Sequence, residues 1–155
     1  MIAIARAKPE NAETLTRIAH DAKRQWGYPE NWIAAWRDVL TIRPQFITRN
    51  VSYCAVDEGR IFGFYILTNE NHELRLDHLW VEPEAMRRGI GRALFEHAVM
   101  QARSLGFNSI RIEADPNAEG FYQRMGAVRV GTSTGKIEGQ RRDLPLLEFS
   151  LGDSS

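Results

Sequence analysis

The chain has 155 residues, of which 43% are hydrophobic and 26% are charged, and this suits one globular domain with a single core. Twenty basic residues balance twenty acidic ones, so no overall field attracts nucleic acid or an anionic membrane, and we expect neither partner. Cys54 is the only cysteine, and no apolar run reaches the roughly 18 residues of a spanning helix. With no signal-peptide pattern, we expect a cytoplasmic, metal-free protein with one domain over residues 1–151 and a disordered tail at 152–155.

The first third of the chain is mostly helical in pattern. Alternating apolar residues predict a short strand over residues 2–6. Apolar residues at helical spacing predict an amphipathic helix over residues 9–25, which ends before a glycine. After an extended turn at a proline, a second helix is expected over about residues 30–40 and a short one over residues 44–49.

Three strand patterns follow in succession. Residues 51–57, 61–68 and 73–81 are separated by short turn sequences, so they predict two hairpins and an antiparallel meander. The middle strand is apolar on both faces, which predicts a central position in the sheet.

The second half alternates helices with strands. A helical pattern over residues 90–105 stops at Gly106, a favourable residue just after a helix, and a strand is expected over residues 107–113. A strand, helix and strand in this order predict a right-handed crossover, so strands 74–81 and 107–113 should be parallel. A short helix is expected over residues 118–125.

A last hairpin is expected to close the sheet. Its strands are predicted over residues 127–132 and 144–151, and the polar segment 133–143 between them is expected to be a mobile loop. The fold class is therefore mixed α/β (α+β), with one largely antiparallel sheet of about seven strands flanked by helices on both faces.

The turn before the long second-half helix has the character of an anion site. Gly89 and Gly91 stand one residue apart at the helix start, where free backbone N–H groups and the helix dipole favour negative charge. Arg87, Arg88 and Arg92 add positive charge at the same end, where the helix itself disfavours it. We therefore expect an anionic ligand such as a phosphate at this turn.

Two nucleotide-binding motifs fit this region poorly. The sequence Gly89-Ile90-Gly91-Arg92-Ala93-Leu94 has leucine where the dinucleotide fingerprint requires a third glycine or alanine. A P-loop needs lysine and Ser/Thr after its last glycine, and Gly91 is followed by Arg92-Ala93. Residues 131–137 have P-loop-like composition, but their spacing is one residue short and isoleucine replaces the hydroxyl residue. We reject both motifs.

The pattern resembles the GNAT superfamily of N-acetyltransferases. Its acetyl-CoA motif, (Gln/Arg)-x-x-Gly-x-(Gly/Ala), follows a strand of the form Leu-x-Val-x-Pro, as Leu79-Trp80-Val81-Glu82-Pro83 and Gly89-Ile90-Gly91 do here. Met86 occupies the Gln/Arg position, so one side-chain contact of the family is missing. A second block, residues 115–127, is similar to the family's Asn-x-x-(Ala/Gly)-x-x-Phe-Tyr-x-x-x-Gly-Phe segment. The resemblance extends over residues 2–151.

The resemblance implies acetyl-CoA as cosubstrate, held in a gap where the sheet splays open. The main chain of Leu79 and Val81 is then expected to pair with the pantetheine arm and to place a backbone N–H near the oxyanion. Asn117 is expected near the same arm, although an N-cap role for the following helix is also open. The expected cofactor-binding residues are Leu79, Trp80, Val81, Arg87, Arg88, Gly89, Ile90, Gly91, Arg92, Asn117 and Tyr122.

Acetyl transfer from a thioester to an amine requires a proton near the departing thiolate and a neutral amine. The resemblance makes Tyr122 the general acid, and the alternative is that it only packs the short helix on the sheet. For the base, Asp77 shares a predicted strand face with Leu79 and Val81, whereas His78 points away unless a bulge re-aims it. Glu113 is a further candidate, and relay of the proton through water would need no single base.

An acceptor site is expected near the turn between the first two helices. Trp26 and Tyr28 lie in this loop, which in the family roofs the acceptor site, and Asp77 and Glu113 complete the expected substrate-binding set. We expect an acyltransferase enzyme that acetylates the primary amine of a small molecule by direct attack. Acetylation of a protein N-terminus or lysine, and a non-catalytic acyl-CoA-binding module, remain alternatives. A homodimer paired through the last hairpin is also possible by resemblance.

Overall fold

The structure is a computed structural model that describes residues 1–152, so the predicted tail lies outside the described residues except for Gly152. The described chain forms seven strands: β1 (Ala3–Arg6), β2 (Val51–Asp57), β3 (Arg60–Glu70), β4 (Glu73–Val81), β5 (Ser109–Glu113), β6 (Val128–Ile137) and β7 (Gln140–Ser150). The helices are α1 (Ala12–Arg24), α2 (Glu30–Ala35), α3 (Arg37–Leu40), α4 (Pro44–Arg49), α5 (Ile90–Ser104) and α6 (Glu119–Arg124). Single 3₁₀ turns precede α1, follow β4 and precede α6.

The seven strands form one mixed sheet in the order β1-β2-β3-β4-β5-β7-β6. Every neighbouring pair is antiparallel except β4 and β5, which are parallel, as the strand–helix–strand pattern predicts. The meander β2-β3-β4 and the placement of β3 inside the sheet are also confirmed. This sheet with helices on both faces confirms the predicted fold class.

Two apolar layers cover the two faces of the sheet. On one face α5 buries Leu94, Phe95 and Ala98 against β4 and β5. On the other face α1 buries Leu15 and Ile18 against side chains of β2 and β3. Successive side chains of the long strands therefore point to the two layers in turn. Each layer includes a helix, and one end of that helix lies near the gap between β4 and β5.

β4 and β5 separate after a single paired position. The only register pair between them within the described residues joins Arg75 to Arg111. By contrast, β5 pairs with β7 over five positions, from Ser109 to Glu113. The sheet is therefore open between the second half of β4 and the end of β5, as the family resemblance implies.

A β-bulge interrupts β4 beside this gap. Leu67 of β3 faces Leu76 and its neighbour Ile66 faces His78, so Asp77 is the extra residue of the bulge. The predicted orientation of Asp77 assumed that side chains alternate regularly along β4, and the bulge breaks that alternation at Asp77.

Two predicted elements differ in the structure. Segment 133–143 is not a loop, because β6 continues to Ile137 and β7 begins at Gln140, with only Glu138 and Gly139 between them. Both turn residues have positive φ, 48° and 77°, which suits a tight two-residue hairpin. The helix predicted over residues 30–40 is broken at Trp36, whose φ of −86° and ψ of 0° separate α2 from α3. No helix within residues 1–152 has the length and apolarity needed to cross a membrane.

Candidate active site

The turn before α5 presents a row of free backbone N–H groups. Gly89 has φ 78° and Arg87 has φ 72°, so two left-handed residues bend the chain sharply before α5 begins at Ile90. Ala93 donates its amide to the carbonyl of Gly89 at 3.0 Å, which closes the first helical turn. Within residues 1–152 the amides of residues 87–92 have no protein acceptor, so they are available to an anion.

A cavity of about 400 Å³ opens at this turn and runs towards the end of α1. Its wall is formed by residues of α1, the end of β4, the turn before α5, and α6. They are Ala22, Trp26, Leu79, Trp80, Val81, Ala85, Met86, Arg87, Gly89, Ile90, Gly91, Arg92, Asn117, Ala118, Phe121, Tyr122 and Arg124. Ten of the eleven expected cofactor-binding residues are in this wall, and Arg88 is the exception.

The three arginines of the turn are placed differently. Arg87 and Arg92 border the cavity, and Arg92 also pairs with Glu96 at 2.7 Å along α5. The Arg88 guanidinium lies 5.4 Å from the ring centre of Phe62, outside the wall. All three side chains are exposed, so the positive charge at the helix start is solvated and accessible.

The edge of β4 that faces the gap carries unpaired main-chain groups. Glu82 donates its amide to the carbonyl of Phe62 on β3 at 2.8 Å. Because amides alternate between the two edges of a strand, those of Leu79 and Val81 point away from β3, towards the gap. This edge can therefore pair with an extended ligand, as the resemblance implies.

Tyr122 closes the cavity on the α6 side. It is 7% exposed and lies among the aromatic rings of Phe95 and Phe121, with ring centres 6.0 and 5.2 Å away. Burial, with a further contribution from the charge of Asp115, raises the pKa of the Tyr122 hydroxyl well above its ordinary value. The hydroxyl therefore keeps its proton near neutral pH and can donate it.

Asn117 lies at the other side of the cavity wall, but it does not cap a helix. The side chain of Asp115 accepts the amide of Asn117 at 2.8 Å, so Asp115 caps the 3₁₀ turn and the predicted N-cap role of Asn117 is wrong. The Asn117 side-chain amide instead donates to the Tyr28 hydroxyl and to Asp115, each at 3.0 Å.

Beside Asn117 is a charged cluster that we call the Asp115 cluster, formed by Lys23, Tyr28, Asp115, Asn117 and Arg142. Lys23 Nζ lies 2.6 Å from Asp115, and Arg142 Nη2 lies 3.1 Å from the same carboxylate oxygen. The Tyr28 hydroxyl lies 2.9 Å from Asp115 and accepts a hydrogen bond from Arg142 at 2.6 Å. The cluster thus joins α1, the loop after it, the segment after β5, and β7.

Burial and pairing set the ionisation of this cluster. Burial by itself raises the pKa of Asp115, but the neighbouring Lys23 outweighs it and holds the pKa below its ordinary value, so the carboxyl is ionised. Burial lowers the pKa of Lys23, and the charge of Arg142 acts in the same direction. Burial raises the pKa of Tyr28 to about 12, so its hydroxyl is protonated.

Aromatic side chains line the approach to the cavity. Trp26 is in the wall, 6.2 Å from Trp80 between ring centres. Tyr28 is outside the wall and packs on Trp32 and Trp36, at 5.8 and 4.9 Å between ring centres. Of the two aromatic residues expected at the acceptor site, only Trp26 borders the cavity directly.

The acidic candidates for the base do not border the cavity. Asp77 is exposed in the bulge of β4, and Glu113 is exposed at the end of β5 opposite Leu146 of β7. His78 is buried on the α1 face and accepts the Trp80 indole N–H at 3.0 Å, so the bulge does not turn it into the cavity. Within residues 1–152 the cavity wall thus offers no carboxylate.

No motif in the sequence predicts a role for Lys23, Asp115 or Arg142 beside the cavity. Lys23 stands four residues after Ala19, so it falls on the buried stripe of α1, and this position was the available signal. Arg142 lies in segment 133–143, which was expected to be a mobile loop, so no fixed contact was predicted for it. Asp115 begins the second family block, but its role depends on partners that the sequence does not place beside it.

The chain matches a known protein family. The acetyltransferase (GNAT) family description matches residues 13–127. The chain belongs to the GNAT family. The resemblance found in the two sequence motifs is therefore confirmed, and the GNAT domain covers both the turn before α5 and the segment that carries Tyr122.

Individual GNAT proteins agree with this assignment. Peptidyl-lysine N-acetyltransferase YjaB of Salmonella typhimurium (strain LT2) is 33% identical over 93 residues, 60% of this chain and 59% of that protein. This chain thus spans about three fifths of the length of the curated relative. A GCN5-related N-acetyltransferase from Rhodopseudomonas palustris has a TM-score of 0.80 at 22% identity, covering 96% of this chain and 94% of the other. PaiA N-acetyltransferase from Thermoplasma acidophilum, in complex with coenzyme A, has a TM-score of 0.76 at 20% identity, covering 97% and 99%.

Proposed function

We propose that this GNAT protein is an acetyl-CoA-dependent N-acetyltransferase that acetylates the primary amine of a small molecule by direct attack. One observation carries the proposal. The residues with unbonded amides at 87 and 89–92, the free edge of β4 at Leu79 and Val81, and Tyr122 all line one cavity. These are the groups that a pyrophosphate, an extended amide-containing arm and a departing thiolate need.

The residues present fit coenzyme A well. Free N–H groups at the start of α5, together with Arg87 and Arg92, would hold the pyrophosphate. The outward-facing main chain of Leu79 and Val81 would pair with the amides of the pantetheine arm. An added Cβ at Gly91 would lie in ordinary contact 3.4 Å from the Phe121 ring, so alanine would also fit there, as the family motif allows.

The steps of acetyl transfer would be carried out by the cosubstrate, one backbone amide, one tyrosine hydroxyl and water. Acetyl-CoA, when bound, supplies an acetyl thioester whose C–S bond breaks as the amine nitrogen forms the new C–N bond. The amide N–H of Leu79 would donate to the developing oxyanion. The Tyr122 hydroxyl would give its proton to the departing sulfur. Burial, which raises its pKa, keeps the hydroxyl protonated but makes it a weaker acid, so the transfer requires direct contact with the sulfur. The proton lost by the amine passes to water, since no carboxylate lines the wall within residues 1–152.

A second acceptor class has a specific observation in its favour. The relative from Salmonella typhimurium is named a peptidyl-lysine N-acetyltransferase, so a lysine side chain of a protein is the rival acceptor. The small-molecule proposal is supported by Trp26 and Trp80, whose aromatic side chains lie together in the cavity wall beside the end of α1. Both acceptors present a primary amine and would use the same groups of the cavity.

The first test is binding of acetyl-CoA, measured by calorimetry. Binding is expected to weaken when the pyrophosphate is removed, so pantetheine is the matched probe. If acetyl-CoA does not bind at all, the proposed function is rejected.

The second test is turnover on a panel of small amines and lysine peptides, followed by release of the CoA thiol. Tyr122→Phe is expected to lower kcat by about 100-fold, the contribution of a positioned general acid, with little change in acetyl-CoA affinity. Tyr53→Phe, remote from the cavity on β2, is the matched control and should keep full activity. Tight acetyl-CoA binding without acetylation of any amine would favour the non-catalytic binding module.

A further inference from the structure

The Asp115 cluster holds one more positive charge than negative charge. Lys23 and Arg142 are its cations, and Asp115 is the only carboxylate within 4 Å of either of them among residues 1–152. The side chains of Lys23, Arg142 and Asp115 are only 10%, 14% and 5% exposed. A net charge in so little solvent is unfavourable unless an opposite charge joins it.

The carboxylate of Asp115 has no capacity left for these cations. It already accepts from Lys23, Tyr28 and Arg142 and from both nitrogens of Asn117, at 2.6 to 3.1 Å. A carboxylate offers about four lone-pair positions, so five donors saturate it. Any further donor of the cluster must find its acceptor elsewhere.

Donors remain on both cations. The Lys23 ammonium has three N–H groups and uses one on Asp115 within the described chain. Arg142 makes its two contacts through Nη2, which leaves the remaining guanidinium donors free of protein acceptors among residues 1–152. Trp36 lies between the two cations, 4.2 Å from Lys23 Nζ and 4.7 Å from the Arg142 guanidinium carbon.

The cluster borders the cavity at Asn117, which belongs both to the cavity wall and to the cluster. Lys23 follows the wall residue Ala22 in α1, and its Nζ lies 6.0 Å from the ring centre of the wall residue Trp80. An acceptor that enters beside Trp26 therefore passes within reach of the free donors.

We propose that the Asp115 cluster binds a carboxylate of the acceptor, so that the preferred substrates are primary amines that also carry a carboxylate. The inference rests on the proposed function and names its substrate class. A single negative charge matches the single excess positive charge, whereas a phosphate monoester would bring nearly two. The flat guanidinium of Arg142 suits the planar carboxylate, and Trp36 and Tyr28 hold that guanidinium in place.

The carboxylate can come from two sources, and matched acceptor pairs distinguish them. The first arm compares α- and ω-amino acids with their carboxamides. The second compares peptides in which a lysine stands next to glutamate with the same peptides carrying glutamine. In the arm that contains the true acceptor, the carboxylate member is expected to have a KM about 10- to 100-fold lower, the range for hydrogen bonds to a charged group.

Arg142→Gln tests the site directly. It is expected to raise KM for the carboxylate acceptor about tenfold or more, to leave the carboxamide acceptor nearly unchanged, and to leave acetyl-CoA affinity as it was. Arg142→Lys, which keeps the charge but loses the flat donor geometry, should restore part of the preference. Arg141→Gln is the matched control, because Arg141 is 71% exposed and pairs with Asp143 on the surface.

The outcomes separate this inference from the proposed function. Equal KM values for carboxylates and carboxamides in both arms, with acetyl-CoA still bound and amines still acetylated, would overturn the inference alone. Direct calorimetric titration with the amino acids, in the presence of CoA, tests the carboxylate site without turnover. Titration with equal affinity in the parent protein and in Arg142→Gln would also overturn it, and loss of affinity in the variant would support it.

Discussion

Arg17 Nη2 lies 2.6 Å from Glu82 Oε1, and this ion pair fastens α1 to the end of β4, where the cavity begins. The Glu82 side chain is 3% exposed and also receives Arg60 at 2.8 Å. Burial by itself raises the pKa of Glu82, but the adjacent guanidinium groups of Arg17 and Arg60 outweigh it, so the pKa is lowered and the carboxylate is ionised. The contact thus holds the two elements whose ends form opposite walls of the site.

Arg17→Ala should destabilise the protein by about 1 kcal/mol, between the values for exposed and buried ion pairs, because Arg60 remains to neutralise Glu82. The measurement is the free energy of unfolding in urea. Arg24→Ala is the control, since its pair with Glu30 spans 3.5 Å between side chains that are 52% and 77% exposed. That control should change stability by less than about 0.5 kcal/mol, and equal losses in both variants would contradict the role given to Arg17.

Removing charge from the turn before α5 should weaken acetyl-CoA binding. Arg87→Gln is expected to reduce affinity about fivefold at low salt and less at high salt, because an exposed charge is screened by ions. Calorimetry at two ionic strengths measures both values. Arg49→Gln, an exposed change at the end of α4, is the control. An affinity independent of salt in the parent protein would contradict an ionic contribution from this turn.

The protein should lose stability as the pH falls below about 6.5 through protonation of His78. Burial lowers the pKa of His78 from its ordinary 6.5, so near pH 6 the unfolded chain binds a proton that the native protein does not. The stability contribution is constant above that ordinary value and declines from there towards the lowered native pKa. We expect His78→Leu to reduce the difference between the unfolding free energies at pH 7.5 and pH 5.5. His72→Leu, an exposed change, should leave that difference unaltered.

Cys54 should not react with thiol reagents in the native protein. It is 2% exposed on β2, and burial raises its pKa to about 12, so the reactive thiolate is scarce. Ellman's reagent should detect no protein thiol before unfolding and one per chain afterwards. The exposed variant Ser104→Cys should react at once in the native state. Rapid native labelling of the parent chain would show that β2 opens readily.

Local patterns in the sequence predicted most elements of the fold correctly. Residues 44–49 and 51–57 match α4 and β2, because a proline marks the helix start and alternating apolar residues mark the strand. The parallel pairing of β4 and β5 followed from connection handedness, a rule that needs only the order of elements. The spacing of Gly89 and Gly91 predicted the turn before α5, because glycine allows the backbone to approach a ligand closely.

Three features of the site did not follow from the sequence, for different physical reasons. The outer ends of β6 and β7 leave the core, so their polar residues carry no hydrophobic signal and suggested a loop. The bulge at Asp77 depends on how β3 pairs with β4, and single-strand alternation cannot include it. The pair of Lys23 and Asp115 joins positions 92 apart, and only the folded topology brings them together.

Among residues 1–152, one register pair, Arg75 with Arg111, joins β4 to β5, so little main-chain pairing couples the two halves of the sheet. Few main-chain hydrogen bonds oppose relative motion of the two halves of the sheet, and α5 packs against strands of both halves. A molecule that fills the gap along the open edge of β4 would therefore act as an added strand, and amide hydrogens in β5 and β7 would then exchange with solvent more slowly.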